Sequence, residues 1–342
     1  MRPETAFAHR ALVDDDPLPM GALPFRVTED LERLLMVMAG GARFGEPTYD
    51  ESIRKLSAGG VVAGSYHLPI DRLIAETRSL PAPAAGVIFH VGRCGSTLVS
   101  RMLAVDPSLC VFSEPDVWSH LDHLASSVRG PERLPATAPE ACLRLFGRFA
   151  ADRGQQLVLK PTSWQVQHAA TTRASLATPR SIFLFRDPAE VVASNLAVRP
   201  GFDLTIERDL RAEGTVIDEF LPGIDRDRLL EPTERFAELW RCSVDAALDL
   251  DDLLLVPYPE LVAEPARTLE RIVEHLGLER FPFSTALAQR DFYAKASQRS
   301  ERYEPGGAHR RAELDATQRA AVDAITGSAQ IRLRERAEAH GA

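Results

Sequence analysis

Lysine is scarce in this 342-residue chain, occurring only as Lys55, Lys160 and Lys295, although Lys and Arg together number 40. Positive charge is therefore carried by guanidinium groups, and a lysine inside an apolar stretch stands out. Acidic residues number 49, and the formal net charge of −9 excludes a general nucleic-acid binder, which needs a clustered basic excess to neutralise phosphates. Cysteine is sparse as well. Cys94, Cys110, Cys142 and Cys242 show no C-x-x-C or other metal-ligand spacing, so they read as reduced thiols of a cytoplasmic protein, with neither a disulfide framework nor a metal centre expected. Long apolar runs are missing: Leu34-Leu35-Met36-Val37-Met38-Ala39 is far short of a membrane span. The first 20 residues carry acids and prolines in place of a basic stretch and an apolar core, so no signal peptide is expected there.

What is present is ordinary for a globular chain, with 45% hydrophobic and 26% charged residues. The length suits one main domain with an added segment. Residues 1–80 are loosely patterned and read as a mainly helical or irregular N-terminal extension, with one amphipathic helix predicted over 29–39 and ended by Gly40-Gly41. Pro81-Ala82-Pro83 reads as a linker. Beyond it, short apolar runs at 87–91, 109–112, 156–160, 181–185 and 253–256 predict strands buried on both faces. Helical patterns at 96–105, 116–128, 139–153, 189–197, 232–250 and 265–276 alternate with them. That alternation predicts an α/β fold: a central, mainly parallel sheet flanked by helices, over 84–315, with 316–342 as a C-terminal helix or tail. The acidic, poorly periodic stretch 200–231 predicts a lid or substrate loop.

Strand 87–91 runs into Gly92-Arg93-Cys94-Gly95-Ser96-Thr97 and then a helix. In that arrangement the free N–H groups of the first helical turn face a bound anion, and the helix dipole favours negative charge. Gly92 and Gly95 permit the tight turn, Ser96 and Thr97 add hydroxyls, and Arg93 adds charge. The competing reading is a strand-to-helix turn that binds nothing. A triphosphate loop of the G-x-x-x-x-G-K-[ST] type does not fit, because the glycines are three apart and no lysine precedes Ser96.

This loop resembles the 5′-phosphosulfate loop of sulfotransferases that use 3′-phosphoadenosine 5′-phosphosulfate (PAPS), in the form common to bacterial members and the tyrosylprotein sulfotransferases. Two further motifs carry the resemblance. Ile182-Phe183-Leu184-Phe185-Arg186-Asp187-Pro188 followed by Val191-Val192-Ala193-Ser194 looks like the family's 3′-phosphate motif, while Leu254 to Pro259 and the following helices look like a late structural segment. The resemblance implies a P-loop-type three-layer fold and metal-free sulfuryl transfer from PAPS to a hydroxyl, leaving 3′,5′-diphosphoadenosine. It implies cofactor contacts from Gly92, Arg93, Cys94, Gly95, Ser96, Thr97, Arg186 and Ser194. A late basic, glycine-containing loop would add Arg302 and Arg310, with Arg311 as a further choice. The acceptor stays open among small molecules, sugars, lipids and peptides. A P-loop kinase or other phosphotransferase, and a non-catalytic binding member of the fold, are the rival readings.

The catalytic candidates lie at predicted strand ends, the edge where open α/β sheets bind ligands. Glu114 resembles the carboxylate base of tyrosylprotein sulfotransferases, against the simpler reading of a helix-capping residue. Lys160 resembles a lysine of the same enzymes, against an exposed strand-end lysine. Arg93 is the candidate for stabilising the leaving group, and its role would be electrostatic because it does not lend a proton at neutral pH. Arg186 has the alternative of a surface pair with Asp187. His90 reads as a buried strand residue and a second candidate base, His120 and His123 lack a third metal ligand, and His168 falls near the site after Trp164.

Overall fold

The computed structural model describes residues 18–126, 134–212, 221, 223–278, 281–291 and 313–339. Its centre is a five-stranded parallel sheet formed by β4 (Ala84–His90), β5 (Leu109–Ser113), β6 (Gln156–Lys160), β7 (Thr178–Phe185) and β8 (Leu253–Pro257), in the order β5-β6-β4-β7-β8. Every strand that the sequence predicted in this region is there. The interior ones consist of Val, Ile, Leu and Phe because both faces of a parallel sheet are covered by helices. From β4 the chain crosses to the β5 edge, returns through β6, and then continues on the other side of β4 through β7 and β8. Loops leaving neighbouring strands thus diverge at the carboxyl edge beside β4, where a ligand crevice forms in open α/β sheets.

The helices that follow the strands start and stop where local chemistry dictates. Asp187 caps Pro188–Ala197 by accepting from the Glu190 N–H at 3.1 Å, with Pro188 at the first helical position. Pro265–Leu276 ends at Gly277, whose φ of +66° suits a left-handed C-terminal cap. The helix Ala316–Ala339 packs on Pro232–Leu248, and the Arg336 guanidinium donates to the carbonyls of Leu248 and Leu250, which the end of that helix leaves without helical partners.

The reading of 29–39 as a helix is corrected. Residues Arg33–Met38 form β2, the middle strand of an antiparallel sheet between β1 (Ala22–Val27) and β3 (Ser65–Pro69). Two features of the structure show it. Leu34 to Val37 are four consecutive buried residues, which suits a strand covered on both faces better than a one-sided helix. The residues counted as the helix's first turn instead make a tight connection, with Thr28 N–H bonded to Arg33 O at 2.9 Å and Leu31 at a φ of +61°. The 1–80 segment also supplies a helix, Tyr49–Ala58, capped by Thr48, whose hydroxyl accepts from the Glu51 N–H.

Its core is continuous with that of the large sheet. Phe44 and Tyr49 place their rings 4.8 and 5.5 Å from Phe112 on β5, and Phe112 in turn lies 4.5 Å from Phe146. Strand β5 is an edge strand, and this aromatic cluster belongs to the segment that covers it.

Of the stretch 200–231, expected to be a lid or substrate loop, residues 213–220 and 222 lie outside the described residues, and its first part is not a loop. Gly201–Ala212 is helical, and its Asp203, fully buried, takes a two-pronged pair from the buried Arg235 at 2.7 and 3.2 Å. Arg235 also donates to the carbonyls of Leu229 and Leu230, so each of its three nitrogens has an acceptor. Removing one partner of such a pair leaves a buried uncompensated charge. Asp203→Leu should lower unfolding stability by roughly 3–5 kcal/mol in urea titrations, and adding Arg235→Met should restore much of it. A near-zero effect of the single change would show the pair to be solvated.

Candidate active site

The strands β4, β5, β6 and β7 end at His90, Ser113, Lys160 and Phe185, and Glu114, Arg186 and the glycine loop lie just beyond these ends. Ser113 and Lys160 are register partners in the β5–β6 ladder, so their side chains stand on one face of the sheet. Glu114 would point the opposite way if the strand continued. It does not, because Glu114 has a φ of +49°, a left-handed conformation that costs an ordinary residue on the order of 1 kcal/mol or more. Its N–H donates to the Lys160 carbonyl at 2.5 Å, and the turn brings its carboxylate back onto the Lys160 ammonium.

Lys160 is fully buried, which removes the reading of an exposed strand-end lysine. Its ammonium donates to Glu114 and, at 3.1 Å, to the Ser113 hydroxyl. The Glu114 side chain is 30% exposed and so remains open on one side. Burial opposes ionisation of Glu114, but the Lys160 ammonium and the hydrogen bond from it outweigh that and hold its carboxyl below the usual carboxylate range. At neutral pH the site therefore presents a carboxylate with one face bound by a cation and part of its surface free. A caps-only role for Glu114 does not account for the buried cation paired with it.

The glycine loop has left-handed φ values at Gly92 (+77°), Arg93 (+51°) and Gly95 (+86°). Left-handed residues in a tight loop suit an anion nest, and the loop leads directly into the helix Ser96–Leu103. At Gly95 a Cβ would stand 3.0 Å from Leu261 and 3.1 Å from the Tyr258 ring, so glycine allows a close approach there as well as its φ of +86°. Cys94 is buried and its thiol is pushed up to about 11 by that burial.

Two arginines cross-link this loop to the motif that follows β7. Arg93 sends its Nε to Asn195 Oδ1 at 3.0 Å and its Nη2 to the Val198 carbonyl, both at the end of the helix Pro188–Ala197 or just past it. Arg186 sends Nη1 back to the Arg93 carbonyl at 3.2 Å, pairs with Glu190 rather than Asp187, and lies 4.6 Å over the Tyr258 ring. Tyr258 thus touches both motifs. Ser194 is half-buried on the same helix, next to Asn195.

His90 is spoken for at both nitrogens. Its Nδ1 accepts from the Gly92 N–H at 3.1 Å, leaving Nε2 to donate to the Pro161 carbonyl at 3.1 Å. Burial and then the nearby Lys160 push its imidazole down to about 4, so it is neutral and holds the glycine loop against β6. His168 lies 3.5 Å from Asp122. Arg302, Arg310 and Arg311 fall outside the described residues.

A model of the Sulfotransferase family matches residues 87–282, more than half of the chain. The chain belongs to the sulfotransferase family. Among solved structures, this sulfotransferase is 19% identical to the sulfotransferase domain of a Synechococcus olefin synthase, over 73% of this chain and 94% of that one, with a TM-score of 0.42. It is 15% identical to a sulfotransferase of Mycobacterium avium, over 74% and 78%, with a TM-score of 0.45. A retinol dehydratase solved with retinol and PAP matches at 12% identity over 80% of this chain and 87% of that one, TM-score 0.29. A comparison with curated proteins gives no match. No helix among the described residues of the sulfotransferase is long and apolar enough to cross a membrane.

Four residues to which the sequence reading gave no role in the site stand at this edge. Ser113 bonds Lys160, Asn195 bonds Arg93, Tyr258 lies under Arg186, and Ser163 has its hydroxyl 3.5 Å from where a Gly92 Cβ would be. Ser113 and Asn195 each adjoin a residue the motifs did name, which was the available signal.

The state of His90 sets a pH dependence. Its folded pKa of about 4 lies under the ordinary 6.5, so between those values the unfolded chain binds a proton that the folded chain does not. The stabilisation is complete above about 6.5 and is lost as pH falls toward about 4. His90→Asn should flatten the loss of denaturation free energy measured from pH 7 to 4.5; an unchanged slope would assign that loss to other groups.

Proposed function

We propose that this sulfotransferase moves the sulfuryl group of PAPS to a hydroxyl of its acceptor, with Glu114 as the base and without a metal. The observation that carries the reading is the union of two motifs suited to phosphate by reciprocal arginine contacts, next to a lysine-paired carboxylate. A donor with phosphate at both its 3′ and 5′ positions calls for two such motifs in one crevice. A triphosphate donor fits less well, since the loop lacks the lysine that would reach its terminal phosphates.

The left-handed residues of the loop fit the 5′-phosphosulfate, held by the N–H groups of residues 93–97 with the hydroxyls of Ser96 and Thr97, while the Gly92 N–H stays on His90. Arg186 and Ser194 would hold the 3′-phosphate, joined by Arg302 and Arg310. When PAPS is bound it supplies the sulfuryl group, the sulfur gaining a bond to the acceptor oxygen and losing its bond to the 5′-phosphate oxygen. Glu114 takes the acceptor's proton at its exposed carboxylate oxygen. Lys160 keeps that carboxylate ionised and oriented, and Arg93 adds positive charge beside the loop, where negative charge grows on the departing phosphate. The acceptor class is an alcohol or phenol on a small molecule, sugar, lipid or peptide, and the protein works in the cytoplasm.

Glu114→Gln keeps the shape and removes the base. Turnover should fall by roughly 10²–10⁴-fold while affinity for 3′,5′-diphosphoadenosine changes little; unchanged turnover would remove Glu114 from the mechanism. Arg186→Ala should weaken 3′,5′-diphosphoadenosine by about 10- to 100-fold, as expected for lost charge-assisted hydrogen bonds. Calorimetry with an analogue lacking the 3′-phosphate should show a much smaller loss, and equal losses would reassign Arg186.

A further inference from the structure

The catalytic lysine candidate is tied to the N-terminal segment by a chain of hydrogen bonds. Lys160 Nζ donates to Ser113 Oγ at 3.1 Å, and the Ser113 hydroxyl donates in turn to the Pro47 carbonyl at 2.7 Å. Ser113 and Lys160 are both buried, so no bulk water stands ready to replace either bond. Pro47 is itself fixed. It precedes Thr48, the cap of the helix Tyr49–Ala58, and it lies between Phe44 and Tyr49, whose rings pack on Phe112, the residue before Ser113. The Tyr49 hydroxyl adds a bond to the Pro24 carbonyl on β1 at 2.8 Å. One short segment thus grips two consecutive residues of β5, by ring packing at the first and by a carbonyl at the second.

Geometry gives this grip a function. A lone hydroxyl beside an ammonium rotates freely, and its hydrogen competes with the ammonium for space. With its hydrogen committed to Pro47, the Ser113 oxygen turns lone pairs toward Lys160 and becomes a fixed acceptor. The ammonium, held from one side by Ser113, then meets Glu114 from a set direction. Resting on the functional reading above, we propose that residues 44–49 are part of the catalytic apparatus, with Ser113 the positioning residue through which the Pro47 carbonyl fixes Lys160 and hence the Glu114 carboxylate.

Scarcity of lysine makes the test direct, because only three side-chain ammonium groups contribute to a ¹⁵N-lysine spectrum. In the full-length protein, the Lys160 ammonium, identified by its disappearance in Lys160→Met, should exchange slowly with water at neutral pH. Ser113→Ala should speed that exchange by about tenfold or more, in line with the loss of a buried hydrogen bond, and Ser113→Thr, which keeps the hydroxyl, should restore it. Exchange unchanged in Ser113→Ala overturns the proposal, whatever the enzyme's activity. If Ser113→Ala does not fold, Ser113→Cys, of similar volume but a weaker hydrogen-bonding group, replaces it with the same expectation in smaller measure.

Turnover supplies the second arm. Ser113→Ala should lower kcat by about tenfold or more with the affinity for 3′,5′-diphosphoadenosine retained, and Ser113→Thr should recover most of it. Equal losses of kcat and of nucleotide affinity indicate a general structural defect and overturn the positioning role. The two readings separate cleanly: retention of turnover in Glu114→Gln defeats the carboxylate mechanism, while the ammonium exchange rates still decide whether Ser113 and Pro47 hold Lys160.

Discussion

A buried ammonium dictates the form of this site. Placing Lys160 at the end of an interior strand, with no exposure to water, is affordable only if an anion and a hydrogen-bond acceptor are brought to it, because the desolvation of such a charge costs several kcal/mol. Glu114 and Ser113 meet that demand, and each does so at the expense of local regularity. Glu114 abandons the strand for a left-handed backbone. Ser113 places a hydroxyl where the alternation of the edge strand would suit an apolar side chain. His90, one strand over, stays neutral because its own burial, and then the Lys160 ammonium beside it, disfavour a second positive charge more than Glu114 favours it.

The sequence disclosed the sheet well and the N-terminal segment badly, for one physical reason. Strands such as Gln156–Lys160 are buried on both faces by helices of the same domain, so composition alone marks them. The run Leu34 to Val37 is equally apolar, but it sits beside a polar turn whose residues imitate a helix's first turn, and the decision between the two depends on a neighbour, β3, that begins almost thirty residues later. The motif residues Glu114, Lys160, Arg93 and Arg186 were legible because chemistry marks them at strand ends. Their mutual arrangement was not. That Arg186 bonds the Arg93 carbonyl, or that Pro47 bonds Ser113, depends on contacts between parts of the chain 93 and 66 residues apart, which no local pattern encodes.

The glycine loop and the motif after β7 behave as one unit. Arg93 and Arg186 each reach into the other's segment, and Tyr258 from the β8 side fills the space that glycine leaves at position 95. A family match that begins at residue 87 and ends at 282 encloses all of these parts but omits the segment that covers β5. The matched portion therefore carries the glycine loop and the motif after β7, and residues 44–49, outside it, pack on the edge strand next to Glu114.

The register between β5 and β6 has a meaning beyond sheet stability. Ser113 faces Lys160 only because Leu109 starts opposite Gln156, and sliding either strand by one residue would send the hydroxyl to one side of the sheet and the ammonium to the other. The alignment of two backbones thus acts as a ruler for a carboxylate that belongs to neither strand. Loops on this fold are free to vary in length, but any insertion within these ten strand residues would be silent to the hydrophobic pattern of a two-sided strand and ruinous to the spacing of charge at its tip.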